Sequence, residues 1–169
     1  MKKLALILAL LFLVASTASA ADEKAAGENR IVRPWAIAVN PFGLAFNYFS
    51  AGVHIPVGRL LAMPVTFRFV DYDDDLAAAL SVGLRLYTGG RLHTGFYYGA
   101  LLEYGYEKNG ADPATRGIAG GSELGVLIPV GGTMRLDLGF GLMKYEDIHG
   151  DGLLAGVLPV INLNLTFPY

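Results

Sequence analysis

The sequence predicts an all-β fold: an eight-stranded antiparallel up-and-down transmembrane β-barrel after an N-terminal signal peptide. Three observations predict it. Hydrophobic residues make up 53% of the chain and mean hydropathy is +0.44. Yet beyond residue 20 no stretch is long and apolar enough for a spanning helix, which takes about 20 residues. High hydropathy without a helical span is what alternating membrane strands produce. Apolar and polar residues then alternate with a period of two along the chain, from Val32 to the end. That period puts them on opposite faces of a strand. Finally, the chain opens with an export pattern.

In that opening, Lys2 and Lys3 form a charged start and Leu4 to Val14 an apolar core, and Ala18-Ser19-Ala20 is a small-x-small cleavage site. Residues 1–20 are therefore expected to be a signal peptide, and the apolar run is too short to be a membrane anchor. Residues 21–31 are polar and small and form a flexible periplasmic lead-in. Residues 32–169 remain for the barrel, enough for one domain with a closed core.

The chain has no cysteine, which excludes a lipid anchor, disulfides, thiolate metal sites and cysteine nucleophiles. Lys and Arg number 13 against 15 Asp and Glu, and cutting off Lys2 and Lys3 makes the remainder more acidic. This is not the charge balance of a nucleic-acid-binding protein.

Strands are predicted at residues 32–40, 43–55, 60–70, 76–88, 95–106, 118–130, 133–144 and 154–168. The second, fourth and sixth connections, at Val57-Gly58-Arg59, Gly89-Gly90-Arg91 and Gly131-Gly132, are short or glycine-led, as hairpin turns require. The third, fifth and seventh are more polar: Asp71 to Asp75, Glu107 to Gly117, and Glu146 to Gly152. The first, Asn40-Pro41-Phe42-Gly43, is a tight exception. Turns at one end and acidic loops at the other suit an up-and-down barrel.

The charges deep in the strands all avoid the apolar face. Arg68 opposes Phe67 and Phe69, and Arg85 opposes Leu84 and Leu86. Glu103 opposes Leu102 and Tyr104, Glu123 opposes Leu124, and Arg135 and Asp137 oppose Leu136 and Leu138. Three arginines face three carboxylates, which points to a lumen plugged by ion pairs, because an unpaired buried charge costs several kcal/mol. Strand direction predicts Arg68 with Glu103 towards the acidic-loop end, Arg85, Arg135 and Asp137 as a cluster towards the other, and Glu123 between. Asn47 falls on the Phe49 face, so a bulge or a later start is expected in the second strand.

Alternation alone leaves open which face points inward. The charged faces are rich in glycine, the apolar faces recur in every strand, and aromatics gather near strand ends: Trp35, Tyr87, Phe96, Tyr98, Tyr106, Phe167 and Tyr169. These favour apolar faces turned outward to lipid, with an aromatic girdle at each interface. The alternative is a soluble periplasmic lipocalin-like carrier with the faces inverted.

The last strand, PVINLNLTFPY, puts Ile161, Leu163, Leu165, Phe167 and Tyr169 on one face and Asn162, Asn164 and Thr166 on the other. With the signal peptide, the eight-strand rhythm and the balanced charges, the chain resembles the small eight-stranded outer-membrane barrels of Gram-negative bacteria, the outer-membrane-protein-A-like class. The resemblance implies a place in the cell outer membrane, contact with outer-membrane lipids and lipopolysaccharide, and assembly by the barrel assembly machinery. Leu163, Leu165, Phe167 and Tyr169 match that machinery's C-terminal signal. Pro168 departs from it, and Tyr169 stands where Phe is more usual.

The expected function is non-enzymatic: a structural or surface-interaction role, with no cofactor, metal or catalytic residue. Asp71, Asp73 and Asp75 have the spacing of a calcium loop, but Leu76 and Val82 stand where Gly and Glu are needed. His54, His93 and His149 show no metal-ligand spacing. The resemblance also admits a lipid A-modifying enzyme using Ser and His. Ser50 and His54 share a strand face, but four residues along a strand is about 13 Å, too far for a hydrogen bond.

Overall fold

In the computed structural model, the described residues are 35–72, 75–110, 114–148 and 156–169. They form eight antiparallel strands: β1 (Ala36–Val39), β2 (Tyr48–Pro56), β3 (Leu61–Tyr72), β4 (Asp75–Tyr87), β5 (Gly95–Asn109), β6 (Thr115–Gly131), β7 (Met134–Asp147) and β8 (Gly156–Pro168). Each pairs with its sequence neighbour, and β8 returns to β1, closing an up-and-down barrel within Arg33–Pro168. Closure leaves no unpaired edge. The expected segments 1–20 and 21–31, with Asp73 and His149, lie outside the described residues.

The strands follow the sequence alternation. Outward positions carry the large apolar side chains: Leu102 is 67% exposed and Ile161 74%, whereas the inward Glu123 and Asp137 are 1% and 0% exposed. Cross-strand pairing sets these outward residues in rows around the wall. One row runs Leu86, Tyr98, Leu124, Phe140 and Ile161. The inside carries the polar groups: Ser50, His54, Ser81, Arg85, Glu103, Asn162, Asn164 and Thr166 are all buried. A barrel of eight strands has an interior that side chains just fill, so these groups must pack against one another.

Of the two alternatives at Asn47, the structure shows the later start, and two features differ from expectation, the β4–β5 connection and Tyr87. β2 starts at Tyr48, after a 3₁₀ turn at Phe42–Phe46, because Asn47 adopts a left-handed conformation (φ 54°). Asn40 Oδ1 accepts a hydrogen bond from the Gly43 amide at 2.9 Å and holds that turn. The later start removes Asn47 from the Phe49 face. The β4–β5 connection is no tight hairpin. It runs through residues 88–94 and tucks Leu92 and His93 into the barrel, 8% and 0% exposed, with His93 at φ 56°. Tyr87 is 1% exposed and lies inside the wall with Arg85, so it is no part of an outward aromatic girdle. Phe96 and Tyr98 are outward and exposed.

At the acidic Asp71–Asp75 connection, β3 and β4 extend almost to its tip. Strand parity aligns Asp71 with the outward Phe67 and Phe69, and Asp75 with the inward Ser81 and Arg85. The two carboxylates therefore diverge, and among the described residues no group of His, Asp and Glu could hold a metal ion.

Candidate functional site

The lumen is the candidate site, and its contents fall into three levels. Nearest the longer connections, Arg68 Nη1 donates to Glu103 Oε2 at 2.7 Å. The Tyr145 hydroxyl donates to the other oxygen, Glu103 Oε1. Above this pair the lumen opens into a vestibule of about 190 Å³, bordered by Tyr48, Val70, Glu107 and Tyr145.

The middle level is built around Arg85. The register Arg85↔Gly99↔Glu123 places the two charged residues in one row, a single glycine strand apart. Two strand spacings make about 10 Å between backbones, which the two long side chains close. Arg85 Nε and Nη2 donate to Glu123 Oε1 and Oε2 at 2.5 and 3.0 Å, a bidentate pair. Its third nitrogen, Nη1, reaches Asp137 Oδ2 at 2.8 Å. Further donors complete the carboxylates, one on the remaining oxygen of Asp137 and a second on Glu123 Oε2. Tyr97 donates its hydroxyl to Asp137 Oδ1 at 2.8 Å, and Asn162 Nδ2 donates to Glu123 Oε2 at 2.7 Å. The Arg85 guanidinium carbon also lies 4.3 Å from the Tyr97 ring centroid, a cation–π contact.

Glycines make room for this network. A Cβ at Gly139 would lie 2.4 Å from the Tyr97 hydroxyl, and one at Gly125 would lie 2.5 Å from it. A Cβ at Gly99 would come within 3.0 Å of Glu123 Oε1.

The level nearest the short turns is aromatic. Tyr97, Tyr87 and His93 follow one another with ring centroids 5.8 and 5.4 Å apart, and His54 lies 5.7 Å from His93. Ala62, Leu92 and Leu127 pack with the tyrosines. Between Arg68 and Arg85, Ser50, His54, Ser81 and Asn164 border a cavity of about 10 Å³. That is room for about one water, and His54 Nδ1 has no protein partner there.

The structure thus brings five of the six expected lumen charges into two networks. Arg135 stands apart. Its Nη1 donates to the carbonyls of Gly132 and Met134 at 3.2 and 3.1 Å, so the guanidinium is held by its own turn, not by Asp137. Glu123, expected between the groups, is the main partner of Arg85. Tyr97, Tyr145 and Asn162 complete the networks. Parity alone signals them, because each shares the inward face of its strand with a lumen charge or glycine. In β8, Leu163, Leu165 and Phe167 lie opposite the buried Asn162, Asn164 and Thr166, and Phe167 pairs with Ile37 of β1. Tyr169 follows the strand.

These features define a closed eight-stranded β-barrel with a packed, ion-paired interior. No protein-family model matches the chain, and comparison with curated proteins gives no significant match.

Proposed function

We propose that the chain is an outer-membrane barrel with a structural or surface-interaction role and a lumen closed to traffic. One observation carries this reading: the polarity of the wall is inverted. Large apolar side chains cover the outside, while ion pairs, asparagines and histidines fill the inside. In water such an exterior would be an aggregation surface, whereas in a bilayer it is the matched one. A lipocalin-like carrier needs an apolar cavity inside, and the charged interior argues against it.

A lipid-modifying reaction at Ser50 and His54 is disfavoured by space. Both side chains are inward and buried, beside a cavity with room for one water and none for an acyl chain. Function is therefore assigned to the loops and the outer wall. The test is fractionation of cells expressing the full chain. Recovery with outer membranes, with migration on a gel that shifts on heating, is the expected result. Recovery in the soluble periplasmic fraction would overturn the reading.

A further inference from the structure

The row Arg68–Ala79–Gly105–Gly117 explains the vestibule above the Arg68–Glu103 pair. All four positions face inward, and the three after the arginine are small. A Cβ at Gly105 would have nothing within 4 Å. The next row outward, Val70–Ala77–Glu107–Thr115, sets the Glu107 carboxylate at the rim of this gap.

The vestibule has aromatic, apolar and acidic walls. Tyr48 and Tyr145 border its roughly 190 Å³, and Val70, Ala77 and Leu158 add apolar surface. Glu107 is half-buried, and among the described residues its carboxylate has no ion-pair or hydrogen-bond partner. Glu103 at the floor differs, because Arg68 and Tyr145 occupy its two oxygens. Charge around the mouth has one sign. Beyond Arg68 the described inward positions include Asp75, Glu107 and Asp147 and no lysine or arginine, while Lys108, Arg116 and Lys144 lie on the outward face. Acidic groups around a low-dielectric cleft focus cations into it.

The surroundings also select the kind of cation. A bare metal ion needs several converging oxygen ligands, and among the described residues no such group exists. A primary ammonium brings three donors, and the vestibule offers them one uncommitted carboxylate. A quaternary ammonium donates nothing. It needs only the opposite charge, with tyrosine rings and apolar contacts for its alkyl groups. At roughly 30 Å³ per water the space holds about six waters, which sets a ligand with a similar number of heavy atoms.

We propose that the vestibule is a binding site for a small quaternary ammonium compound of choline size. The cation lies beside Glu107, between Tyr48 and Tyr145, with its alkyl groups towards Val70, Ala77 and Leu158. The site belongs to the inside of the barrel mouth, so it goes beyond the membrane reading and holds wherever the barrel resides.

The test refolds the full chain in octyl glucoside micelles, which carry no ammonium headgroup, and follows binding by saturation-transfer NMR. Choline and tetramethylammonium are expected to bind with a Kd of about 1 mM or below. Ethanolamine, which lacks the methyl groups, should bind roughly tenfold more weakly, as should the uncharged isostere of choline with carbon in place of nitrogen. Glu107→Gln should weaken choline binding roughly tenfold, and Tyr48→Leu about threefold or more. Gly105→Leu should abolish binding by filling the space. Its Cβ meets no neighbouring atom, so the barrel still closes. Heat-shifted migration checks folding in every variant. The site is overturned if folded wild type ignores choline, or if ethanolamine or the uncharged isostere binds equally well. Unchanged choline binding in folded Glu107→Gln or Gly105→Leu would overturn it too.

Discussion

Arg85 and Asp137, 52 positions apart in sequence, meet across the lumen at 2.8 Å while Arg85 also holds Glu123 on its other edge. One guanidinium thus ties β4 to β6 and β7. All three side chains are out of reach of water, so their charges depend on one another and on Tyr97 and Asn162 for compensation. Such an arrangement is expensive to break and contributes modestly against an apolar replacement.

Arg85→Met should therefore destabilise the barrel by about 3–5 kcal/mol, because two carboxylates are stranded. The triple change Arg85→Met, Glu123→Leu, Asp137→Leu should cost much less than Arg85→Met alone. Urea unfolding in lipid vesicles, followed by the fluorescence of the single tryptophan, measures both. If the triple variant proves the less stable, the charges contribute more than mutual compensation.

The Arg68–Glu103 pair is simpler and a little wetter, with the Arg68 side chain 14% exposed. A double-mutant cycle with Arg68→Met and Glu103→Gln should give a coupling of about 0.5–3 kcal/mol, the range for residues in direct contact. Tyr145→Phe should cost about 1.5–3 kcal/mol through the lost bond to a charged acceptor. Neither single change should open the lumen, because the Arg85 and aromatic levels still block it. Stepwise conductance in planar bilayers from the Arg68→Met variant would contradict that.

The faces of the strands were legible in the sequence because side-chain parity is local: Arg68, Glu103 and Asp137 oppose leucines or phenylalanines within one or two residues. Partner choice was not local. Whether Arg85 meets Glu123 or Arg135 meets Asp137 depends on the register of several strands, which alternation does not fix. Arg135 also had a nearer option in the carbonyls of its own turn. The β4–β5 connection misled for a different reason. Gly89-Gly90 is a sound hairpin signal, and Gly90 does take φ 75°. But burying Leu92 and His93 against Tyr87 outweighs the shortest turn, and that gain is visible only once the mouth of the barrel is built.

Leu124→Arg tests the polarity of the wall. Leu124 is 60% exposed, centred in β6 and flanked in its row by Tyr98 and Phe140. Near a bilayer midplane an arginine there costs about 2–4 kcal/mol. On a water-facing surface it would cost close to nothing. A neutral result in vesicle unfolding would reject the membrane reading.

The closing seam should be the weakest part of assembly. β1 has four residues, and it joins β8 through Ala36↔Pro168, Ile37↔Phe167, Ala38↔Thr166 and Val39↔Leu165. Deleting Phe167 to Tyr169 removes two of these four pairs. Folded protein in the outer membrane should fall below detection by heat-shifted migration. Normal levels would show that closure and targeting need none of these three residues.

Gly139 and Gly125 offer a sharper test, because the same tyrosine constrains both in different ways. A Cβ at Gly139 collides with one nearby atom only, the Tyr97 hydroxyl at 2.4 Å, and the next contact is Asn162 Cβ at 3.3 Å. A Cβ at Gly125 collides with the hydroxyl, the ring carbon beneath it and the Leu138 carbonyl, all at 2.5 Å. Each glycine-to-alanine change should cost about 1–3 kcal/mol by overpacking. They should part company in a Tyr97→Phe background. Removing the hydroxyl frees the space at Gly139, so Gly139→Ala should become milder there by at least half. Gly125→Ala should keep its cost, because the ring and the carbonyl remain. If Gly139→Ala costs the same in both backgrounds, Tyr97 does not lie over the β6–β7 glycines, and the ordering of the middle level around Asp137 would have to be redrawn.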